Sequence, residues 1–363
     1  MALSKISTGT TIKLCTLDVS CDTTANKAHK KYGEEYDFKI RFPKQIEAFD
    51  SLQPDVVNLQ EVRYKDNLEC VISEMKKKGY IVHSFYNNTQ PMSFNNFICV
   101  RRDGNWEETL VKHYWTAMRE NGDSYLSDDE SARVPPSENQ RGDPHGRCVG
   151  VSVLKNKLIP TLKVIVASIH VVPFDDSTKR VQQEACLSLA KMTQTISGDD
   201  TIPVIIAGDF NIFNEDRENK TKFDRFKTFA SDLNLREIDL QKMIIKEKII
   251  TDQAHIGTCV EQPTIMEEDP KKIGTFTPWS FDSFSDIVYK QPLGYSKLDA
   301  IFASKSLECK DGVTVRPILM KPLNDLSKMS SEEKEMGMDE LRFRLKDVLA
   351  SDHFLLTAEF TFT

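Results

Sequence analysis

The sequence contains no CxxC pair. Its eight cysteines, Cys15, Cys21, Cys70, Cys99, Cys148, Cys186, Cys259 and Cys309, are scattered, several within apolar runs. That spacing excludes a zinc ribbon or a disulfide framework and reads as free, buried thiols in a reducing compartment. Long hydrophobic runs are also missing. No stretch approaches the roughly 18 apolar residues that span a bilayer, and the opening MALSKISTGT has no apolar signal core. The expectation is a chain with no transmembrane segment, placed in the cytoplasm or nucleus.

Positive charge is in deficit. Forty-eight Lys and Arg against 55 Asp and Glu give a net charge of −7, which argues against a long basic track along duplex nucleic acid while leaving room for a local basic groove. Repeats, low-complexity tracts and Gly/Ser linkers are absent as well, so residues 1–363 are read as one domain. With 39 % hydrophobic and 28 % charged residues, the composition is that of a folded globular chain long enough to bury a sizeable core.

What is present is a succession of strand-like and helix-like segments. TIKLCTLDVS (11–20) alternates and brings Asp18 to its end. After a polar stretch to about residue 40, Phe42, Ile46, Phe49 and Leu52 fall at helical spacing with Pro43 near the start, and VVNLQEV then ends in Gln60 and Glu61. Leu68, Val71, Ile72 and Met75 predict a second helix closed by Gly79, with YIVHSFY and NFICVRR behind it as antiparallel strands. Residues 119–146 are polar and rich in turn formers, predicting a long loop. CVGVSVL and LKVIVASIHVV predict strands, the second ending near His170. Val181, Ala185, Leu189 and Met192 predict a helix capped by Ser177 or Thr178.

PVIIAGDFN follows, then a helix through Phe223, Phe226, Ala230 and Leu233. Residues 239–296 carry no clear period. KLDAIFAS is strand-like, 319–349 predict a charged helical insertion, and SDHFLLTAEFTFT closes the chain as an alternating strand.

Five of these strands put a carboxylate, amide or imidazole at or near an end: Asp18, Gln60 with Glu61, His170, Asp209 with Asn211, and Asp352 with His353. Asp299 lies inside a sixth. One such residue is ordinarily a turn former or a helix cap. Repeated at strand ends that share one edge, the same groups would converge into an oxygen-rich cluster, which suits Mg²⁺ or Mn²⁺ rather than a soft metal.

The stretches LQEV, SIH, GDFN, KLD and SDH, in this order, resemble the endonuclease/exonuclease/phosphatase superfamily, and the resemblance runs from about residue 11 to the C-terminus. It implies an α/β fold of four layers, two packed mixed β-sheets flanked by helices, and metal-assisted attack of water on a phosphoester. By the same resemblance Glu61 binds the metal, Asp352 holds metal or water, and Asp209 positions or deprotonates water. Asn211 donates to phosphate, Asp299 orients His353 against the scissile phosphate, and His170 stabilises developing charge or protonates the leaving oxygen. Abasic-site endonucleases lack that histidine. Arg147 and Trp279 are candidate substrate contacts.

One position departs from the pattern. Where the family reads Trp-Asn or Tyr-Asn, this chain has Leu17-Asp18, replacing an amide donor with a carboxylate that only accepts when ionised. Asp18 would tighten metal binding or raise a neighbour's pKa, and it equally fits a weakened site. Three functions follow. The first is a Mg²⁺- or Mn²⁺-dependent phosphodiesterase acting on nucleic acid, on a short or single-stranded segment or an end. The second is a phosphoesterase of a lipid head group, inositol phosphate or nucleotide, and the third an inactive binding module.

Overall fold

The structure is a computed structural model that describes residues 11–19, 37–62, 65–86, 95–132, 147–172, 176–212, 220–248, 261–266, 298–316, 353 and 355–362. In chain order the elements begin β1 (Thr11–Asp18), α1 (Phe38–Leu52), β2 (Val56–Val62), α2 (Lys65–Lys77), β3 (Tyr80–Tyr86), β4 (Asn95–Arg101), β5 (Trp106–Met118), β6 (Ser124–Ser127), β7 (Cys148–Asn156) and β8 (Lys163–His170). They continue with α3 (Asp176–Leu187), α4 (Thr193–Ser197), β9 (Val204–Asp209), α5 (Lys220–Asp232), β10 (Leu235–Glu237), β11 (Leu240–Lys248) and β12 (Glu261–Met266). The last are β13 (Asp299–Ser304), β14 (Leu307–Glu308), β15 (Val313–Arg316) and β16 (Leu355–Phe362).

The strands form two mixed sheets. The first runs β12-β11-β15-β16-β1-β2-β4-β3, with β14 on β16, and the second β10-β13-β9-β8-β7-β5-β6. The parallel pairs β1 with β2 and β8 with β9 lie near the middle of each sheet between antiparallel partners, and β11 pairs in parallel with β15 toward one end of the first sheet.

The alternation of each strand sorts its side chains into layers. Ile12, Leu14, Val56, Ile98 and Val100 of the first sheet meet Leu154, Val164, Val166, Ile205, Ala207 and Ile301 of the second in one buried cluster between the sheets. Cys15, Leu17, Val57 and Leu59 face the other way, onto Phe42, Ile46 and Phe49 of α1 and Val71 and Met75 of α2. On the second sheet Ile165, Ile169, Ile206 and Phe302 face Ala185 and Leu187 of α3 and Ala230 of α5. The result is helix, sheet, sheet, helix, the four-layer α/β sandwich that the motifs implied. Each fully buried branched side chain contributes about 1.5–3 kcal/mol, so strands apolar on both faces are the expected currency of this architecture.

Several local expectations are corrected. Helix α1 starts at Phe38, capped by the Asp37 carboxylate accepting from Lys39 N at 2.9 Å, so Pro43 sits inside it rather than near its start. Asp176 already begins α3, which places Ser177 and Thr178 within the helix rather than at its cap. That helix ends at Leu187 and passes through a 3₁₀ turn (Ser188–Lys191) into α4, so the period running on to Met192 spans three pieces. The first half of the 119–146 loop is ordered, because β6 pairs with β5 as a hairpin through Met118 and Ser124.

Strand β5 itself escaped the reading, since a bulge between Glu108 and Leu110 breaks its alternation. The region 239–296 contributes β11 and β12. Asp299 opens β13 rather than lying inside it. The helical insertion expected at 319–349 falls outside the described residues.

The sheets interlock tightly at one edge. A Cβ on Gly150 of β7 would lie 2.2 Å from the Phe85 ring of β3. Close by, Glu108 of β5 accepts from Ser152 Oγ at 3.2 Å and pairs with His83 Nε2 of β3 at 2.8 Å. Gly150→Ala is expected to destabilise the protein by about 1–3 kcal/mol through overpacking, and Phe85→Leu in the same chain should return part of the loss. Urea unfolding midpoints of the two single variants and the double variant check this; additive losses would mean that the two sites do not touch.

Candidate active site

The inward row of each central strand changes from apolar to polar at the same level. Ile12, Leu14, Thr16 and Asp18 share one face of β1, and Ile205, Ala207 and Asp209 one face of β9. Strand pairing then sets the rest side by side. Asp18 is in register with Gln60, and Asp209 with His170 on one side and Asp299 on the other. Asp299 reaches this edge from the start of its strand because β13 runs antiparallel to β9.

Glu61 needs a special device. By alternation it should face the helices together with Leu59. Instead β2 bulges against β4 between Leu59 and Val62, and Glu61 takes the left-handed region at φ 58°. Asn95 Nδ2 closes the bulge on Val62 O at 2.9 Å. The turned carboxylate now lies 3.6 Å from His170 Nε2 and keeps about 25 % of its side-chain exposure, making it a solvent-facing member of the cluster.

The GDFN segment is an Asx turn and part of the cluster at once. Gly208 has φ 145°, and a Cβ there would sit 2.1 Å from Ile169 O on the parallel neighbour β8, so only glycine permits the close approach. The Asp209 carboxylate accepts from Asn211 N at 2.7 Å and from Asn211 Nδ2 at 2.9 Å, with Asn211 at φ 51°. Asn211 Nδ2 also donates to Val171 O at 2.7 Å. The amide expected to face phosphate is therefore directed inward, onto Asp209 and the β8 backbone.

The two histidines have different partners. His353 Nδ1 lies 2.9 Å from Asp299 Oδ2. His170 Nδ1 lies 3.2 Å from Arg147 Nη1, while its Nε2 is 3.6 Å from both Glu61 and Asp209. Arg147, expected as a substrate contact, is only 3 % exposed. Asp352 and Trp279 lie outside the described residues. Polar side chains lie beneath the cluster, of which Gln60 was marked by sequence and Thr16, Asn58, Asn96 and Ser168 were not. Gln60 accepts from Thr16 Oγ1 at 3.2 Å and donates to Ser168 Oγ across the sheets at 3.0 Å. Asn58 donates to Ala167 O at 2.8 Å, and Asn96 to Cys148 O at 2.9 Å. Their signal was the appearance of Asn and Gln on inward strand positions.

Burial, then the Asp299 carboxyl, pushes Asp209 up to about 8. Burial and then the Glu61 carboxylate hold Asp18 well above the usual carboxylate range. His170 is held well below the usual imidazole range, by burial first and the Arg147 guanidinium second. The acidic cluster thus favours protons in the absence of another cation. Ligand atoms of Asp18, Glu61 and His170, and again of Asp18, Asp209 and His353, lie within 4.8 Å of one another. An oxygen-dominated donor set of this kind fits a hard divalent cation such as Mg²⁺ or Mn²⁺.

No protein-family model matches the sequence, and no curated protein is similar to it. Solved structures are. An endonuclease/exonuclease/phosphatase family protein from Bacteroides thetaiotaomicron aligns over 98 % of both chains at 15 % identity and a TM-score of 0.59. ANGEL2, a 2′,3′-cyclic phosphatase in complex with adenosine-2′,3′-vanadate, aligns over 97 % of this chain and 96 % of its own, at 14 % identity and a TM-score of 0.56. The human nocturnin catalytic domain with a bound sulfate anion aligns over 97 % and 95 %, at 16 % identity and 0.53. At these identities the likeness is one of fold alone, shared with a structure described as an endonuclease/exonuclease/phosphatase family protein.

The raised carboxylates make stability depend on pH with a definite sign. Above about pH 6.5, the ordinary imidazole value, the unfolded chain no longer protonates His170, whereas folded Asp209 keeps its proton up to about 8. The native state then binds more protons than the unfolded one, and stability falls as pH rises through this window. Melting of the metal-free protein should show Tm decreasing from pH 6.5 to 8, with Mg²⁺ or Mn²⁺ restoring more at pH 8 than at pH 6.5. A Tm that rises across the window would contradict the carboxylate assignments.

Proposed function

We propose that the protein is a divalent-metal-dependent phosphodiesterase that hydrolyses a phosphoester by activating water, and that its substrate is a nucleic acid, most specifically a nucleic-acid end. The observation that carries this is the convergence of Asp18, Glu61, His170, Asp209 and Asp299 from five strand ends, with His353, onto one patch. Asp18 and Glu61 fit a metal and would hold Mg²⁺ or Mn²⁺, with Asp352 of the SDH motif proposed beside them from sequence alone; the ion would polarise a phosphoryl oxygen and lower the pKa of water.

The chain's own groups supply the rest. Asp209, fixed by Asn211, is the base that takes a proton from the attacking water, and an elevated proton affinity suits that task near neutral pH. The Asp299 carboxylate accepts from His353 Nδ1 and sets the ring so that Nε2 faces the phosphate. His170 faces the same space between Glu61 and Asp209, where negative charge develops. Trp279 remains a proposed substrate-side element, whereas Arg147 is buried against His170.

A nucleic-acid end is favoured because a structure sharing this fold over nearly the whole chain is described as a 2′,3′-cyclic phosphatase bound to an adenosine vanadate. A phosphoesterase of small or lipid substrates is the second reading, supported by the net charge of −7. Among the described residues no helix is long and apolar enough to cross a membrane.

The test is turnover with Mg²⁺ or Mn²⁺ on labelled oligonucleotides with hydroxyl, phosphate or 2′,3′-cyclic phosphate ends, beside mononucleotides, inositol phosphates and sphingomyelin. Oligonucleotide cleavage or end processing supports the first reading, small-substrate turnover the second, and no turnover in any lane leaves a binding module. Asp209→Asn and His353→Ala should each lower turnover by about 10²–10⁴-fold with the melting transition preserved. Asp18→Asn should raise the half-saturating metal concentration by about 10-fold or more; an unchanged metal requirement would remove Asp18 from the metal-holding set.

A further inference from the structure

We propose that Arg147 is a positioning residue that fixes His170 in the neutral tautomer with its hydrogen on Nε2, making His170 a hydrogen-bond donor to the phosphoryl group and excluding it from the metal-holding set. The catalytic half of this statement rests on the phosphoesterase reading; the tautomer does not.

The argument is one of donor and acceptor inventory. A guanidinium carries five N–H donors and no acceptor. Arg147 Nη1 lies 3.2 Å from His170 Nδ1, so Nδ1 offers its lone pair and the imidazole hydrogen is on Nε2. Nε2 is 3.6 Å from Glu61 Oε1 and 3.6 Å from Asp209 Oδ2. At these distances Nε2 faces the space between the two carboxylates.

Both partners are held in place. Arg147 and His170 are 3 % and 2 % exposed. The Arg147 carbonyl accepts from Thr116 N at 3.1 Å and Thr116 Oγ1 at 3.2 Å, anchoring the residue to β5. His170 is locked at the end of β8 by its register with Asp209.

This polarity is the reverse of what a metal-ligating histidine requires. Such a ligand donates its second N–H to a carboxylate or carbonyl and offers the other nitrogen's lone pair to the ion. His353 has that arrangement, with Nδ1 against Asp299 at 2.9 Å. His170 faces a donor where an acceptor would be needed, and turns N–H, not a lone pair, toward Glu61. Although its Nε2 lies within 4.8 Å of ligand atoms of Asp18 and Glu61, the ion would be held by oxygen there. The two imidazoles therefore enter the site with opposite character, and Arg147 is what distinguishes them.

Two-bond ¹H–¹⁵N NMR on the full-length, metal-free protein with ¹⁵N-labelled histidine tests the tautomer directly at pH 7, with His170 assigned by its disappearance in His170→Gln. The expected pattern is a bare Nδ1 and a protonated Nε2; a protonated Nδ1 in the wild-type protein overturns the proposal without recourse to any variant. Mn²⁺ binding followed by EPR should differ by less than about threefold between wild type and His170→Gln, and a loss of about 10-fold, the usual cost of removing a group that serves a metal, would place His170 among the ligands and overturn its exclusion.

With bis(p-nitrophenyl) phosphate and Mn²⁺, Arg147→Gln should lower kcat by about 10–100-fold with KM little changed and should mix the tautomers. Arg147→Lys, which keeps a cationic donor, should retain the Nε2–H form and recover much of kcat. An Arg147→Gln protein with wild-type tautomer and wild-type kcat overturns the positioning role. Should the wild-type protein hydrolyse no phosphoester at all, the catalytic half falls with the phosphoesterase reading, while the NMR pattern still decides the tautomer.

Discussion

The hydrogen bonds that cross from one sheet to the other beneath the cluster are the constraint on which the rest depends. Asp18, Glu61 and His353 belong to or flank the first sheet; His170, Asp209 and Asp299 belong to the second. Neither sheet carries the cluster alone, so its geometry is the relative placement of two surfaces. Apolar contacts between Leu14, Val56, Val166 and Ala207 hold those surfaces together, yet dispersion and hydrophobic burial are non-directional. Gln60 to Ser168 and Asn58 to Ala167 O are directional. A slip of the sheets would leave these buried groups unsatisfied, at a cost of about 1–3 kcal/mol each, and that penalty selects one alignment.

Electrostatics at the cluster follow from the same burial. Three aspartates at 2 % exposure or less stand close together, and taking carboxylates out of water drives them toward their neutral forms. The His353 imidazole softens this without abolishing it. His353, with an acceptor at Nδ1, and His170, with a donor there, bring opposite character to the same small space. A hard cation completes such a group, since it lowers the proton affinity of every oxygen it touches. Asp18, which stands where the resembling pattern has asparagine, adds acceptor charge to that group.

Backbone strain is concentrated at the same edge. Glu61 and Asn211 have positive φ, and Gly208 stands where a side chain would strike its neighbour's carbonyl. A left-handed glutamate within a strand is costly and persists only where surrounding structure over-determines it. Here the bulge, closed by Asn95, spends that cost to turn one carboxylate from the helix face to the site.

Much was legible in sequence. Strands with period-2 alternation, the helices behind them and the polar residues at strand ends all follow from local pattern, because hydrophobic periodicity and turn chemistry act over a few residues. Strand β5 was hidden by its bulge, and the first turn of α1 by a polar approach. The order of LQEV, SIH, GDFN, KLD and SDH implied the fold through a resemblance, and Glu61, His170, Asp209 and Asp299 of these motifs do lie on strands that reach one edge. Tertiary structure alone decided that Asn211 turns inward to Asp209, that Arg147 is buried against His170, and that Glu61 faces the cluster against its own alternation. Those outcomes depend on partners 23 and 40 positions away, Arg147 with His170 and Asn211 with Val171, or on a bulge in the pairing, and a chain's local pattern carries no information about which donor will meet which acceptor across the fold.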